Sequence, residues 1–136
     1  MKSANLSPLK GFNSFKYVYK QSRKFYSVPI LIAICFKPCD FKLKRLEPNP
    51  NTIYFGVTAP KKIYKKAVVR NRIKRLLRIS LKNSLKIIEN KIDISRIQAI
   101  IITWKGDKVN CPKEINLRTV QTNLLDTLAQ MFNIQI

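Results

Sequence analysis

Between Glu47 and Glu89 the chain carries no acidic residue, yet Lys61, Lys62, Lys65, Lys66, Arg70, Arg72, Lys74, Arg75, Arg78, Lys82 and Lys86 all fall in that interval. A solvated helix normally mixes signs, because like charges at i, i+4 repel by on the order of a few tenths of a kcal/mol per pair. Tolerating that repulsion points to an external anion. Guanidinium forks suit bidentate contact with phosphate, and Asn71, set between Arg70 and Arg72, adds a donor and an acceptor for a base edge, a phosphate or a sugar hydroxyl. The chemistry is capture of a phosphate chain; a generic basic surface helix, as on many ribosomal proteins, would carry the same charge.

Bond-breaking chemistry has little to work with. The chain has no histidine, and its 7 acids are scattered as Asp40, Glu47, Glu89, Asp93, Asp107, Glu114 and Asp126, with neither a catalytic triad nor paired carboxylates. The cysteines, Cys35, Cys39 and Cys111, form no C-x-x-C pair, which argues against structural zinc. They read as reduced thiols, with Cys35 a small core hydrophobe. No cofactor is expected on the protein alone.

The charge balance, 27 Lys+Arg against 7 Asp+Glu for a formal +20, would weaken a compact state unless a polyanion neutralises it, so nucleic acid is the leading partner. A content of 46% hydrophobic residues with 3 Gly argues for a folded domain rather than disorder. The strongest apolar run, Val28 to Phe36, is too short to span a bilayer and is interrupted by Pro29, so no membrane partner is expected. It also lies too deep in the chain for a secretory segment, which makes the cytoplasm the expected location.

These features need elements to hold them. Residues 1–136 read as one domain, with 1–8 a flexible arm. From Ser7 to Lys24, Phe12, Phe15, Val18 and Tyr19 follow a helical face. Val28 to Phe36 reads as a buried strand ending at Lys37-Pro38, Pro38 to Asn51 as a loop in which Phe41 to Leu46 could pair as a further strand, and Ile53 to Ala59 as a strand ended by Pro60. Ala67 to Glu89 repeats apolar residues near the 3.6 period without Gly or Pro. Ile97 to Trp104 is a β-branched strand, and Asn116 to Phe132 a closing helix.

The fold class is α+β, a small mixed sheet packed with helices in the order α-β-β(-β)-α-β-α, with a βαβ crossover that is right-handed by default. On the long helix Asn71, Lys74, Arg75, Arg78, Lys82 and Lys86 lie opposite the apolar stripe, and Arg70 and Arg72 near its borders. All three residues of the Arg70-Asn71-Arg72 string lie off the stripe, so the fold should survive their replacement by alanine. A helix-turn-helix is disfavoured because Pro60 and a strand precede this helix.

The string Lys66-Ala67-Val68-Val69-Arg70-Asn71-Arg72-Ile73-Lys74-Arg75-Leu76-Leu77-Arg78, prefaced by Phe55-Gly56-Val57-Thr58-Ala59-Pro60-Lys61-Lys62, resembles the signature of the bacterial ribonuclease P protein subunit. Leu9, Phe15, Val18 and Tyr19 match the spacing of that family's first helix, and Ile100-Ile101-Ile102-Thr103-Trp104-Lys105 is similar to its late strand. The chain departs from the family pattern at Ile79, Leu81 and Trp104, and at Tyr64, which stands where a glycine is often found in a connection one residue longer.

The resemblance implies a left-handed crossover, contrary to the default. It implies a protein that joins a large catalytic RNA to remove the 5′ leader of precursor tRNA, with no further protein partner and with catalysis by Mg2+ held on the RNA. It also implies that Lys61, Lys62, Lys66, Arg70, Asn71, Arg72, Lys74, Arg75 and Arg78 face RNA. A separate cleft, formed by the first helix and the sheet, would receive the single-stranded leader. Phe15 and Tyr19, sharing a face at i, i+4, are the cleft candidates, against the alternative that both are core. The competing function is a ribosomal or other structural RNA-binding protein.

Overall fold

The computed structural model describes residues 5–9, 11–36, 52–107 and 111–135, the side chain of Phe12 apart. A five-stranded mixed sheet has the order β1-β4-β5-β3-β2, with β1 Asn5–Pro8, β2 Arg23–Ser27, β3 Ile30–Phe36, β4 Thr52–Thr58 and β5 Ile97–Trp104. Three helices pack on it: α1 Phe12–Gln21, α2 Ala67–Ile88 and α3 Leu117–Phe132.

β5 is central, antiparallel to β3 and parallel to β4, and α2 makes the β4-to-β5 crossover. Every residue of β5 is buried, which is why it reads as a mostly apolar, β-branched run, with Gln98 and Thr103 its polar members. Period-2 alternation divides the core in two. Ile30, Ile32, Ile34, Ile53, Val57, Ile100 and Ile102 pack with the stripes of α2 and α3. Ala33, Cys35, Ala99 and Ile101 face the other way and pack with Val18 of α1 and with Leu9. The long basic helix and the aromatic helix therefore lie on opposite faces of one sheet.

The boundaries of β5, α2 and α3 agree closely with the sequence pattern. Asn116 caps α3, its side chain accepting from the Thr119 N–H at 2.9 Å, and Asn133 ends it in the left-handed region at φ 53°. Three expectations are corrected. Residues 5–8 are no loose arm: they form β1, pairing parallel with β4 from Asn5 opposite Thr52 to Pro8 opposite Phe55. The first helix stops at Gln21, where the Ser22 hydroxyl bonds back to the Val18 carbonyl, and Arg23–Ser27 turn into a strand antiparallel to β3. Val28 and Pro29 form the turn between β2 and β3, so β3 begins at Ile30. The extra strand considered at Phe41 to Leu46, the loop from Pro38 to Asn51 and the Lys37-Pro38 break lie outside the described residues.

Candidate nucleic-acid interface

α2 buries Val69, Ile73, Leu76, Leu77, Ser80, Leu81, Ser84, Leu85 and Ile88, which turns Asn71, Arg75, Arg78, Lys82 and Lys86 to solvent and leaves Lys74 half-buried. Its first turn carries no acid and its N-cap, Lys66, makes no side-chain capping bond. Lys61 and Lys62 are exposed in the turn that leads into it, where the N–H groups of Ile63 and Tyr64 bond the Pro60 carbonyl. Cations beside the positive end of a helix dipole are unfavourable, by about 0.3–1 kcal/mol each at low salt. An anion held there would relieve both the dipole and the lysines.

Arg70 and Arg72 are not the unencumbered side chains that the sequence suggests. Arg70 Nη1 donates to the carbonyls of Tyr64 at 2.9 Å and Lys65 at 2.8 Å, tying the entry loop to the helix. Arg72 Nε donates to the Ile115 carbonyl at 2.9 Å, tying α2 to the start of α3. Replacing both arginines by alanine would therefore cost stability, about 1–3 kcal/mol for each carbonyl left without its partner, as well as charge. Among the described residues, the Nε and Nη2 edge of Arg70 and the two Nη groups of Arg72 take no part in these bonds, so part of each planar fork could still meet an anion.

The position of Arg70 depends on Tyr64, whose side chain is fully buried in the core beneath α2. Its hydroxyl lies beside the Gly106 backbone and the Trp104 indole without a well-formed hydrogen bond, and burial raises its pKa above the ordinary tyrosine value. The departure from the family pattern at this residue is thus an apolar anchor for the loop that holds Arg70. Trp104 is also buried, at the end of β5.

On the opposite face, α1 and the sheet enclose a groove of about 640 Å³ lined by Phe15, Lys16, Tyr19, Lys20, Leu31, Thr58, Ile101, Thr103 and Lys105. Phe15 and Tyr19 come together here. Phe15 is half-buried, its ring lying over Gly56, where a Cβ would collide with it. Tyr19 is 37% exposed and carries the Lys24 ammonium 4.5 Å from its ring centroid. The hydroxyls of Thr58 and Thr103 bond each other at 2.6 Å.

An apolar floor, hydroxyls and three rim lysines suit an unpaired, negatively charged strand. The sequence reading missed Lys16, Lys20, Leu31, Thr58, Ile101, Thr103 and Lys105 as lining. Their signal was the strand alternation that puts Thr58, Ile101 and Thr103 on the face of Phe15. Among the described residues no three His, Cys, Asp or Glu side chains gather where they could hold a metal ion, and no helix is long and apolar enough to cross a membrane.

The architecture is therefore that of a small α+β polyanion-binding domain with two differently built basic surfaces. A family model described as Ribonuclease P matches residues 4–121. The ribonuclease P protein component of Rickettsia prowazekii (strain Madrid E) is 34% identical over 122 residues, covering 88% of this chain and 89% of that protein. That of Rickettsia typhi (strain ATCC VR-144 / Wilmington) is 36% identical over 104 residues, covering 74% and 80%. The fold is similar to that of the Staphylococcus aureus RNase P protein, with a TM-score of 0.56 at 19% identity over 91% of this chain and 94% of that one. The chain belongs to the ribonuclease P protein family.

Proposed function

We propose that this chain is the RNA-binding protein subunit of a ribonuclease P, joining a catalytic RNA through α2 and holding the 5′ leader of precursor tRNA in the groove beside α1. The observation that carries the division is geometric: the arginine helix and the aromatic groove occupy opposite faces of the sheet. A single protein can thus touch two RNA segments at once. On the α2 face Lys61, Lys62, Lys66, Arg70, Asn71, Arg72, Lys74, Arg75 and Arg78 neutralise phosphates. In the groove Phe15 and Tyr19 stack leader bases, which tolerates any sequence because every base has a π-face.

Cleavage of the phosphodiester belongs to Mg2+ bound by the RNA. The chain's part is to raise affinity for substrates that carry a leader. It acts in the cytoplasm, with no membrane contact and no further protein required. Reconstitution tests this reading: protein, catalytic RNA and precursor tRNA with Mg2+ should release the leader, and the protein with Mg2+ but no RNA should cleave nothing. Turnover by a nuclease-free, RNA-free preparation would overturn the division of labour.

A further inference from the structure

A second groove, about 580 Å³ in volume, lies on the α2 side of the sheet between β1 and the C-terminal half of the helix. Its floor is apolar, with Leu6 and Phe55 from the sheet and Leu85 and Ile94 beneath the helix; Ile79, 40% exposed, stands at its rim. Arg78, Lys82 and Lys86 line one wall, all exposed and on one helical face at i, i+4 and i+8, with Glu89 its acid. We propose that this groove binds an unpaired stretch of RNA, extending the phosphate-binding surface of α2 about two turns past Arg78.

Three features select that occupant. Four residues of helix rise about 6 Å, so the three cations form a ladder whose rungs are spaced on the order of successive phosphates along an extended strand. Three positive charges against one carboxylate favour an anion. The floor then separates unpaired from paired RNA. A base or ribose of a single strand can turn onto Phe55 and Leu6, whereas an A-form duplex presents phosphates and 2′-hydroxyls and keeps its base faces stacked away from a recessed wall.

The groove exists because residues 5–8 are held on the edge of β4. Without β1, the Phe55 side of the sheet edge would be an open surface. The assignment rests on the ribonuclease P reading for the identity of the RNA, and adds Lys82, Lys86 and the β1 wall to what that reading requires.

The test uses the full chain and its own catalytic RNA. Affinity is measured against salt for wild type and for Lys82→Ala/Lys86→Ala. Both side chains are exposed and alanine is a strong helix former, so the variant should keep its circular dichroism spectrum. Losing two contacts to a single strand should lower the slope of log affinity against log salt by about 1.4, at about 0.7 per contact.

A photo-crosslinker is then attached through Ile79→Cys in a Cys39→Ser/Cys111→Ser background. It should label unpaired nucleotides of the catalytic RNA. A wild-type slope in the double variant, as when the groove takes an acidic peptide or nothing, would overturn the proposal, as would crosslinks confined to helical stems. If the wild-type chain itself fails to bind the catalytic RNA, the function reading fails instead. A wild-type chain that binds beside a double variant of unchanged slope sinks only the second groove.

Discussion

Arg72 donates from Nε to the carbonyl of Ile115, 43 residues away, and so ties the second turn of α2 to the segment that leads into α3. Alanine at this position leaves that carbonyl without its partner, at a cost of about 1–3 kcal/mol. Arg75, exposed one turn along, is expected to change stability by less than about 0.5 kcal/mol when replaced by alanine. Urea denaturation of the two single variants should separate them, while both weaken binding of the catalytic RNA. Equal stability of the two would mean that the Arg72 bond contributes nothing to the fold.

Gly56 is required by Phe15. A methyl group at residue 56 would meet the Cε1 and Cζ atoms of that ring. Gly56→Ala should therefore push Phe15 off the groove floor and destabilise the domain by about 1–3 kcal/mol, the usual cost of overpacking. Thermal unfolding measures the loss. Phe15→Leu in the same background removes the ring atoms that clash and should recover part of it, and no recovery would show that the strain lies elsewhere.

Tyr64 makes a prediction about alkaline pH. Burial raises its pKa in the folded chain above the unfolded value of about 10, so the folded state holds the phenolic proton more tightly. Below about pH 10 both states are neutral and the group is silent. Above it the unfolded chain ionises first, and stability falls as pH rises toward the folded pKa. Tyr64→Phe should remove this limb, so the stability difference between wild type and variant should shift in favour of the variant as pH climbs past 10. A difference that stays constant across that range would contradict a buried, neutral phenol.

Much of this was legible in the sequence. The 3.6 period of α2, the apolar run of β5 and the helical pattern from Asn116 to Phe132 marked three elements because nothing competes with those signals locally. β1 and β2 were not legible. Asn5–Pro8 has no alternation to mark it, and its pairing depends on Thr52–Phe55, far along the chain. β2 was hidden because the helical spacing of Phe15, Val18 and Tyr19 continues on paper past Ser22, whose hydroxyl ends the helix by bonding the Val18 carbonyl.

The arginine string was visible as a motif, but its internal bonds were not, since the acceptors are backbone carbonyls of Tyr64, Lys65 and Ile115 that no side-chain pattern announces. Phe15 and Tyr19 were rightly put on one face. Lys16 and Lys20 share their helix, whereas Thr58 comes from β4 and Thr103 and Lys105 from β5 and its exit, and these needed the sheet order to be seen together.

Whether the groove beside α1 holds the leader while α2 holds the catalytic RNA is decided by the affinities of precursor and mature tRNA for holoenzyme carrying Tyr19→Ala. Tyr19 is 37% exposed, so its loss should leave the fold intact, and Tyr19→Phe controls for the hydroxyl. Loss of one stacked base at about 1–3 kcal/mol should weaken precursor binding roughly five- to 150-fold, with mature tRNA and assembly with the catalytic RNA unchanged. The Phe variant should behave as wild type. Equal loss of precursor and mature tRNA, or full retention of both, would contradict the assignment of the leader to this groove.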